Sequence, residues 1–411
     1  MITTTPFHPR LSELNTQGLY THWQGRLSPL RYTHAPKHEY FAVRNAVGVF
    51  DTSPLYKYRI TGPDAERLLA GALVRDIRTC RPGQAQYTAW CDDRGYVMHD
   101  GVAFRHSADD FLLTAGRPTL SWFQELASGL RVQLEDVSDA YGMLAVQGPL
   151  SRTVLAALMP EAESLAFFDH VPAKVADTAV TLSRTGYTGD LGFEIAVEAD
   201  RAVAVLDAVL EAGASHSIRP FGEEALMTLR IEAGLPLVDI EWHDARLAFS
   251  EADCVTPKEL GFGWMLRGVR DGSRRFVGSE AIRRELLDGT SRWATTGLVV
   301  DTDDWDRIHR EVGLFPPKSE HPLPYESMLY DGSASAFGGS TGGEAPRAVG
   351  YCTSFVYSPM LQRHIGIARV RPDLAAAGTD LRLELAIAHR NTTVKVTTTS
   401  MPFFDPERKR T

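Results

Sequence analysis

The chain has 411 residues, 44% of them apolar, which is enough for two or three domains around a sizeable core. Its 43 basic and 52 acidic residues leave a formal net charge of −9, and this argues against nucleic acid as the main partner, because phosphate binding wants a basic footprint. No apolar run reaches about 18 residues and "MITTTPFHPRLSELN" lacks the pattern of a secretion signal, so a cytoplasmic protein with no membrane contact is expected.

In chain order, "HEYFAVRNAVGVF" (38–50) carries helical periodicity and stops at a glycine. "KYRITGPDAERLLAGAL" (57–73) predicts strand, turn and helix, with Asp64 and Glu66 in the first turn, where the helix dipole favours acids. "AQYTAWCDDRGYVMHDGVAFRH" (85–106) predicts two strands around a turn at Asp92–Gly95, and "DDFLLTAG" (109–116) a further strand. Residues 178–184 and 192–198 alternate with period two and predict a hairpin. Two helices follow, "DRAVAVLDAVLEAG" (200–213) and "PFGEEALMTLRIEAG" (220–234), each closed by a glycine. Beyond a boundary near 286–296 the pattern turns to strand, which divides the chain at 1–290 and 291–411. The stretch "DGSASAFGGSTGGEAP" (331–346) predicts a flexible loop and lacks the ending of a phosphate-binding loop. The four cysteines, Cys80, Cys91, Cys254 and Cys352, form no CxxC pair, so neither a disulfide framework nor a metal site is expected.

The hairpin connection, "RTGYTGDLGFE" (184–194), holds three glycines at intervals of three and a carboxylate. Alternation puts Phe193, Ile195 and Val197 on one face, expected to be core, and Glu194 on the other. The residues alone leave Glu194 either in solvent or facing a channel, with the glycines giving a ligand close access to the backbone.

That segment resembles the signature of the glycine cleavage T-protein family, the tetrahydrofolate-dependent aminomethyltransferases and their demethylase relatives. The similarity continues in the family's order through "GVFDTSPLYKYRITGPDAERLL", "GQAQYTAWCDDRGYVMHDGV", "LAVQGPLSRTVL", "LRIEAGLPL", "TPKELGFGW", "SPMLQRHIGIARV" and "MPFFDP". The resemblance implies an α+β, three-lobed fold with a central folate channel and a C-terminal β-barrel. It implies that Glu194 accepts the pterin's amino group and ring N–H in a forked pair, and that Tyr187 lines the pterin pocket. Asp100 matches the family's catalytic aspartate. Arg230 matches an arginine near the folate, and Trp264 an aromatic residue beside the aminobenzoyl ring.

Departures bear on the one-carbon donor. His99 stands where the family has a first aspartate, Tyr96 replaces a glycine, and Leu191 replaces an acid. "VDIEWHDARLAFSEADCV" (238–255) is longer than expected of a glycine cleavage protein and holds Glu241, Trp242 and His243. An ether donor needs a proton for its leaving oxygen, and His99 and His243 are candidates to supply it. Three functions follow: a demethylase passing methyl from a small O-, S- or N-methylated donor to tetrahydrofolate; an aminomethyltransferase served by a lipoyl carrier protein; or a non-catalytic folate-binding protein.

Overall fold

A computed structural model of the chain describes residues 3–319, 321–323, 325–332 and 347–411. All but the first two residues of the loop expected at 331–346 lie outside that set. The strands, in chain order, are β1 (Leu19–Trp23), β2 (Arg26–Arg31), β3 (Gly48–Asp51), β4 (Tyr56–Thr61), β5 (Gln84–Cys91), β6 (Val97–Arg105), β7 (Asp110–Ala115), β8 (Gln133–Asp136), β9 (Tyr141–Gln147), β10 (His170–Val175), β11 (Thr178–Ser183), β12 (Gly192–Glu198), β13 (Arg219–Pro220), β14 (Ala294–Val300), β15 (Ser327–Asp331), β16 (Ala348–Ser358), β17 (Arg363–Val370), β18 (Asp380–Ile387) and β19 (Arg390–Thr399).

They build three lobes. One holds the five-stranded sheet β5-β6-β7-β4-β8, one the six-stranded sheet β10-β11-β12-β9-β3-β13, and the third the closed barrel β14-β17-β16-β15-β18-β19. Each has its own apolar core. In the six-stranded lobe Phe193, Ile195 and Val197 of β12 are buried against Val205, Leu206 and Val209 of the helix Ala202–Gly213. Alternation on β12 therefore places Glu194 on the other face of the sheet. In the five-stranded lobe the helix Ala65–Ala72 packs Leu68 and Leu69 against Tyr58, Ile60 and Leu113. Tyr58 and Ile60 belong to β4, Leu113 to β7.

The two sheets meet at their edges. Ala85 N of β5 donates to Phe168 O at 2.7 Å, and His170 N of β10 donates to Gly83 O at 2.8 Å. Backbone hydrogen bonds thus fix where the open face of one sheet stands relative to the other. The barrel is tied on by the helix Glu223–Glu232, whose Ile231 is buried among Val356, Ile365 and Ile367.

The helices and strands expected before residue 290 are all present. The C-terminal third departs from an all-strand reading: the helix Thr302–Arg310 follows β14. Asp301 caps it by accepting from Asp304 N at 2.8 Å, and Trp305 and Ile308 turn into the barrel core. An apolar pair three apart on a capped turn outweighs the strand-rich surroundings. The hairpin β1–β2 and strand β15 were also absent from the sequence reading. All four cysteines are buried and unpaired. Among the described residues no helix is long and apolar enough to cross a membrane.

Candidate active site

The turn into β6 is made by Gly95, whose φ of +85° favours glycine. From there β6 runs antiparallel to β5, with Asp100 opposite Ala89. Tyr87 lies two residues from Ala89 and so faces the same side as Asp100. Its hydroxyl donates to Asp100 Oδ2 at 2.6 Å. Among the described residues no cation lies within ion-pair distance of Asp100, although its carboxylate is only partly exposed. Burial pushes this carboxyl above its ordinary value, and the Tyr87 bond opposes the shift only in part.

The glycine-rich connection brings a second carboxylate to a similar state. Gly186 and Gly192 flank the fully buried side chain of Gln147: a Cβ on either would come within about 2 Å of its Oε1 (2.1 and 2.2 Å). The amide in that slot donates to Thr185 O at 3.3 Å and Phe193 O at 3.1 Å, and accepts from the Thr188 hydroxyl at 2.9 Å. Gly189 has φ +74° and packs where a Cβ would sit 2.5 Å from Ala233. Two glycines thus make room for a buried amide that laces the connection to β9, and the third lets the loop touch the helix Glu223–Glu232. Neither space is left for a ligand, which corrects the expectation that the glycines bring a ligand to the backbone.

Glu194, on the open face of β12, takes a short hydrogen bond from the Thr185 hydroxyl. Among the described residues it has no cation partner and no second donor. Burial raises its carboxyl above the ordinary value. Tyr187 is partly exposed; its hydroxyl donates to Pro236 O at 2.6 Å, and burial pushes it up, with the charges of Arg230 and Asp100 acting on it in opposite directions.

The remaining expected site residues are placed differently. Arg230 is fully buried and committed: Nη1 donates to Glu241 Oε2 at 2.8 Å and Nη2 to Ser354 Oγ at 2.8 Å. Glu241 also accepts from Leu237 N at 2.7 Å and from the Thr353 and Ser354 hydroxyls. Arg230 thus knits segment 238–255 to the barrel, and Glu241 has no free acceptor edge to offer a substrate. Trp242 is buried in the core and His243 is exposed. His99 points to the face of β6 opposite Asp100, 1% exposed beside Asp244. Trp264 is 55% exposed, with the Arg75 guanidinium 5.2 Å from its ring centroid. The structure therefore pairs Asp100 with Tyr87 and Arg230 with Glu241, and it places His99 away from the Asp100 side of β6 and His243 in solvent.

Sequence reasoning missed Tyr87, Thr185 and Gln147. Strand register carried the signal for Tyr87, since period two sets it beside Asp100 once the hairpin is paired. Nothing local marked Gln147, whose slot forms only when β9 and β12 come together.

The description "GCVT N-terminal domain" matches residues 12–267, and "Glycine cleavage T-protein C-terminal barrel domain" matches 312–405. The chain belongs to the glycine cleavage T-protein family. That family is one of tetrahydrofolate-dependent transferases, and this member is an enzyme of that kind. An aminomethyltransferase of Streptomyces coelicolor is 32% identical, over 88% of this chain and 87% of its own. A trimethylamine-oxide aldolase of Ruegeria pomeroyi is 32% identical over 100% of this chain, which spans 48% of that longer protein. The glycine cleavage aminomethyltransferase T of Bartonella henselae shares the fold, with a TM-score of 0.79 at 22% identity over 98% of this chain and 99% of that one.

Proposed function

We propose that the chain transfers a one-carbon unit to N5 of tetrahydrofolate, with Glu194 gripping the pterin edge and Asp100 managing the proton. The observation that carries this reading is the state of the two carboxylates. Each is partly buried, each takes one hydroxyl donor, and among the described residues neither has a cation within ion-pair distance. A folded protein bears that cost of an unpaired, desolvated charge where a ligand or a reaction uses it.

The residues fit a reduced pterin. Glu194 uses one oxygen on Thr185 and keeps acceptor capacity toward the open face. A carboxylate edge of that kind accepts an amino group and an adjacent ring N–H as a forked pair. Bound tetrahydrofolate supplies the nucleophilic nitrogen. Asp100 stands ionised beside that nitrogen, stabilises positive charge as it develops, and accepts the N5 proton. Tyr87 holds the carboxylate in one rotamer, so no reorganisation is needed at the moment of transfer. Tyr187, anchored through Pro236 O, would line the pterin.

For the donor we favour a small methylated compound. Two observations support this: segment 238–255 packs against the strand that carries Asp100, and the trimethylamine-oxide aldolase relative matches the whole chain. A second reading, an aminomethyl group delivered by a lipoyl carrier protein, draws support from full-length relatives named aminomethyltransferase. Incubation with tetrahydrofolate and a panel of methylated donors, with the products weighed by mass spectrometry, separates them. Methyl- or methylene-tetrahydrofolate formed from a free small donor supports the first. Product only with an aminomethylated lipoyl carrier supports the second, and no product under either condition contradicts both.

A further inference from the structure

The strand that carries Asp100 has an open edge. β7 pairs with β6 only from Gly101 onward, so residues 97–100 have β5 on one side alone. Segment 238–255 fills the gap. Trp242 Nε1 donates to Met98 O at 3.3 Å, Ala245 N to Val97 O at 3.2 Å, and Val97 N to Val255 O at 2.8 Å. At the middle of this seam His99 Nε2 lies 2.9 Å from Asp244 Oδ2, both side chains 1% exposed. The pair is an ion pair when the His99 ring is protonated. The same Asp244 oxygen also accepts from Arg246 Nη2 at 2.7 Å, and the His99 ring packs on Trp90 at 6.1 Å between centroids. Burial pushes the Asp244 carboxyl up, but His99 and Arg246 overcome this and hold it below the ordinary carboxylate range.

We propose that the His99–Asp244 pair is a positioning element for Asp100: it locks segment 238–255 onto the open edge of the catalytic strand, one residue from the reacting carboxylate. The inference rests on the reading of Asp100 as the proton acceptor. Two features of the sequence become one device. The histidine that replaces a family aspartate and the acid in the long segment complete each other, so the negative charge at this point arrives from the insert instead of the strand. Three ionisable groups act on Asp100: Tyr87 from β5 and Tyr187 from the hairpin connection, and His99 from the opposite face of its own strand. Of these, His99 is the one that favours the Asp100 anion when its ring carries a proton. Asp244 and Arg246 face His99 in turn.

The test follows the Asp100 carboxyl in ligand-free protein by infrared difference titration against Asp100→Asn. Folate binding and turnover are not needed, so failure of the functional reading stays separately visible. In His99→Gln the Asp100 midpoint is expected to rise by about 0.5–1 pH unit, because an opposite charge is lost. In the exchanged variant His99→Asp/Asp244→His the seam is paired again and thermal stability recovers, yet the midpoint stays raised because an anion now adjoins Asp100. A structural role alone would restore both. An unchanged midpoint in both variants overturns the proposal. If neither folds, Asp100→Asn carries the test: loss of its anion must lower the pH at which the His99 imidazole titrates by NMR, and an unmoved imidazole overturns the proposal.

Discussion

At the scale of single residues, the proposed site is two carboxylates held against their own preference. Burial raises both Asp100 and Glu194. A carboxyl whose folded-state pKa is raised costs nothing while it is protonated in both states, below its unfolded value near pH 4. As pH climbs past the folded value, the native protein must hold a charge that the unfolded chain solvates better, and stability falls. Asp100→Asn and Glu194→Gln should therefore raise the melting temperature at pH 7–8, with the gain shrinking toward pH 4; calorimetric scans across that range check this. The same substitutions should harm function in different ways. Asp100→Asn keeps folate affinity and loses about 10²- to 10⁴-fold in turnover, the usual worth of general base work. That split is read from single-turnover kinetics beside a binding isotherm. Glu194 and Asp100 stood out in the sequence because their motifs did; their uncompensated state did not, since it depends on which cations the fold withholds.

At the scale of elements, the hairpin β11–β12 and its connection show what pattern reveals and what it hides. Period two placed Phe193, Ile195 and Val197 inside, and the structure buries all three. The purpose of the glycines was hidden, because Gln147 comes from β9 and no local rule brings it to that slot. Gly192→Ala should cost about 1–3 kcal/mol by overpacking against that amide, measured by urea unfolding. Gly71→Ala offers a contrast on the helix Ala65–Ala72. A Cβ there meets nothing within 4 Å, so helix propensity should govern and stability should rise by about 0.5–1 kcal/mol. The same lesson covers Arg230. Its helix was legible, but its partner Glu241 sits in a segment with little periodicity, so a binding role and an ion-pair role looked alike until the fold joined them.

Across the whole molecule, a second buried network holds the lobes in register around the site. Arg44 Nη2 lies 2.6 Å from Glu232 Oε2, and its guanidinium sits 4.1 Å from the centroid of the Phe404 ring. Phe403 N and Phe404 N both donate to Glu232 O at 2.9 Å, and Arg408 reaches back to Asp190 in the glycine connection at 2.7 Å. The last residues of the chain thereby brace the hairpin that carries Glu194. Arg44→Met strands the fully buried Glu232 charge and should cost about 3–5 kcal/mol. Arg408→Ala, at a partly exposed contact, should cost less; denaturant unfolding of the two variants ranks them. The three-lobed architecture was legible from motifs in a shared order, whereas these cross-lobe pairs were not, because each joins residues far apart in the chain.

The account's central claim is that one reduced pterin is held by Glu194 with its N5 beside Asp100. Calorimetric titration of tetrahydrofolate into the parent protein, Glu194→Gln and Asp100→Asn tests it most directly. The prediction is measurable binding to the parent, affinity retained in Asp100→Asn, and a loss of about 2–5 kcal/mol in Glu194→Gln. No binding to the parent, or equal affinity in Glu194→Gln, would contradict it.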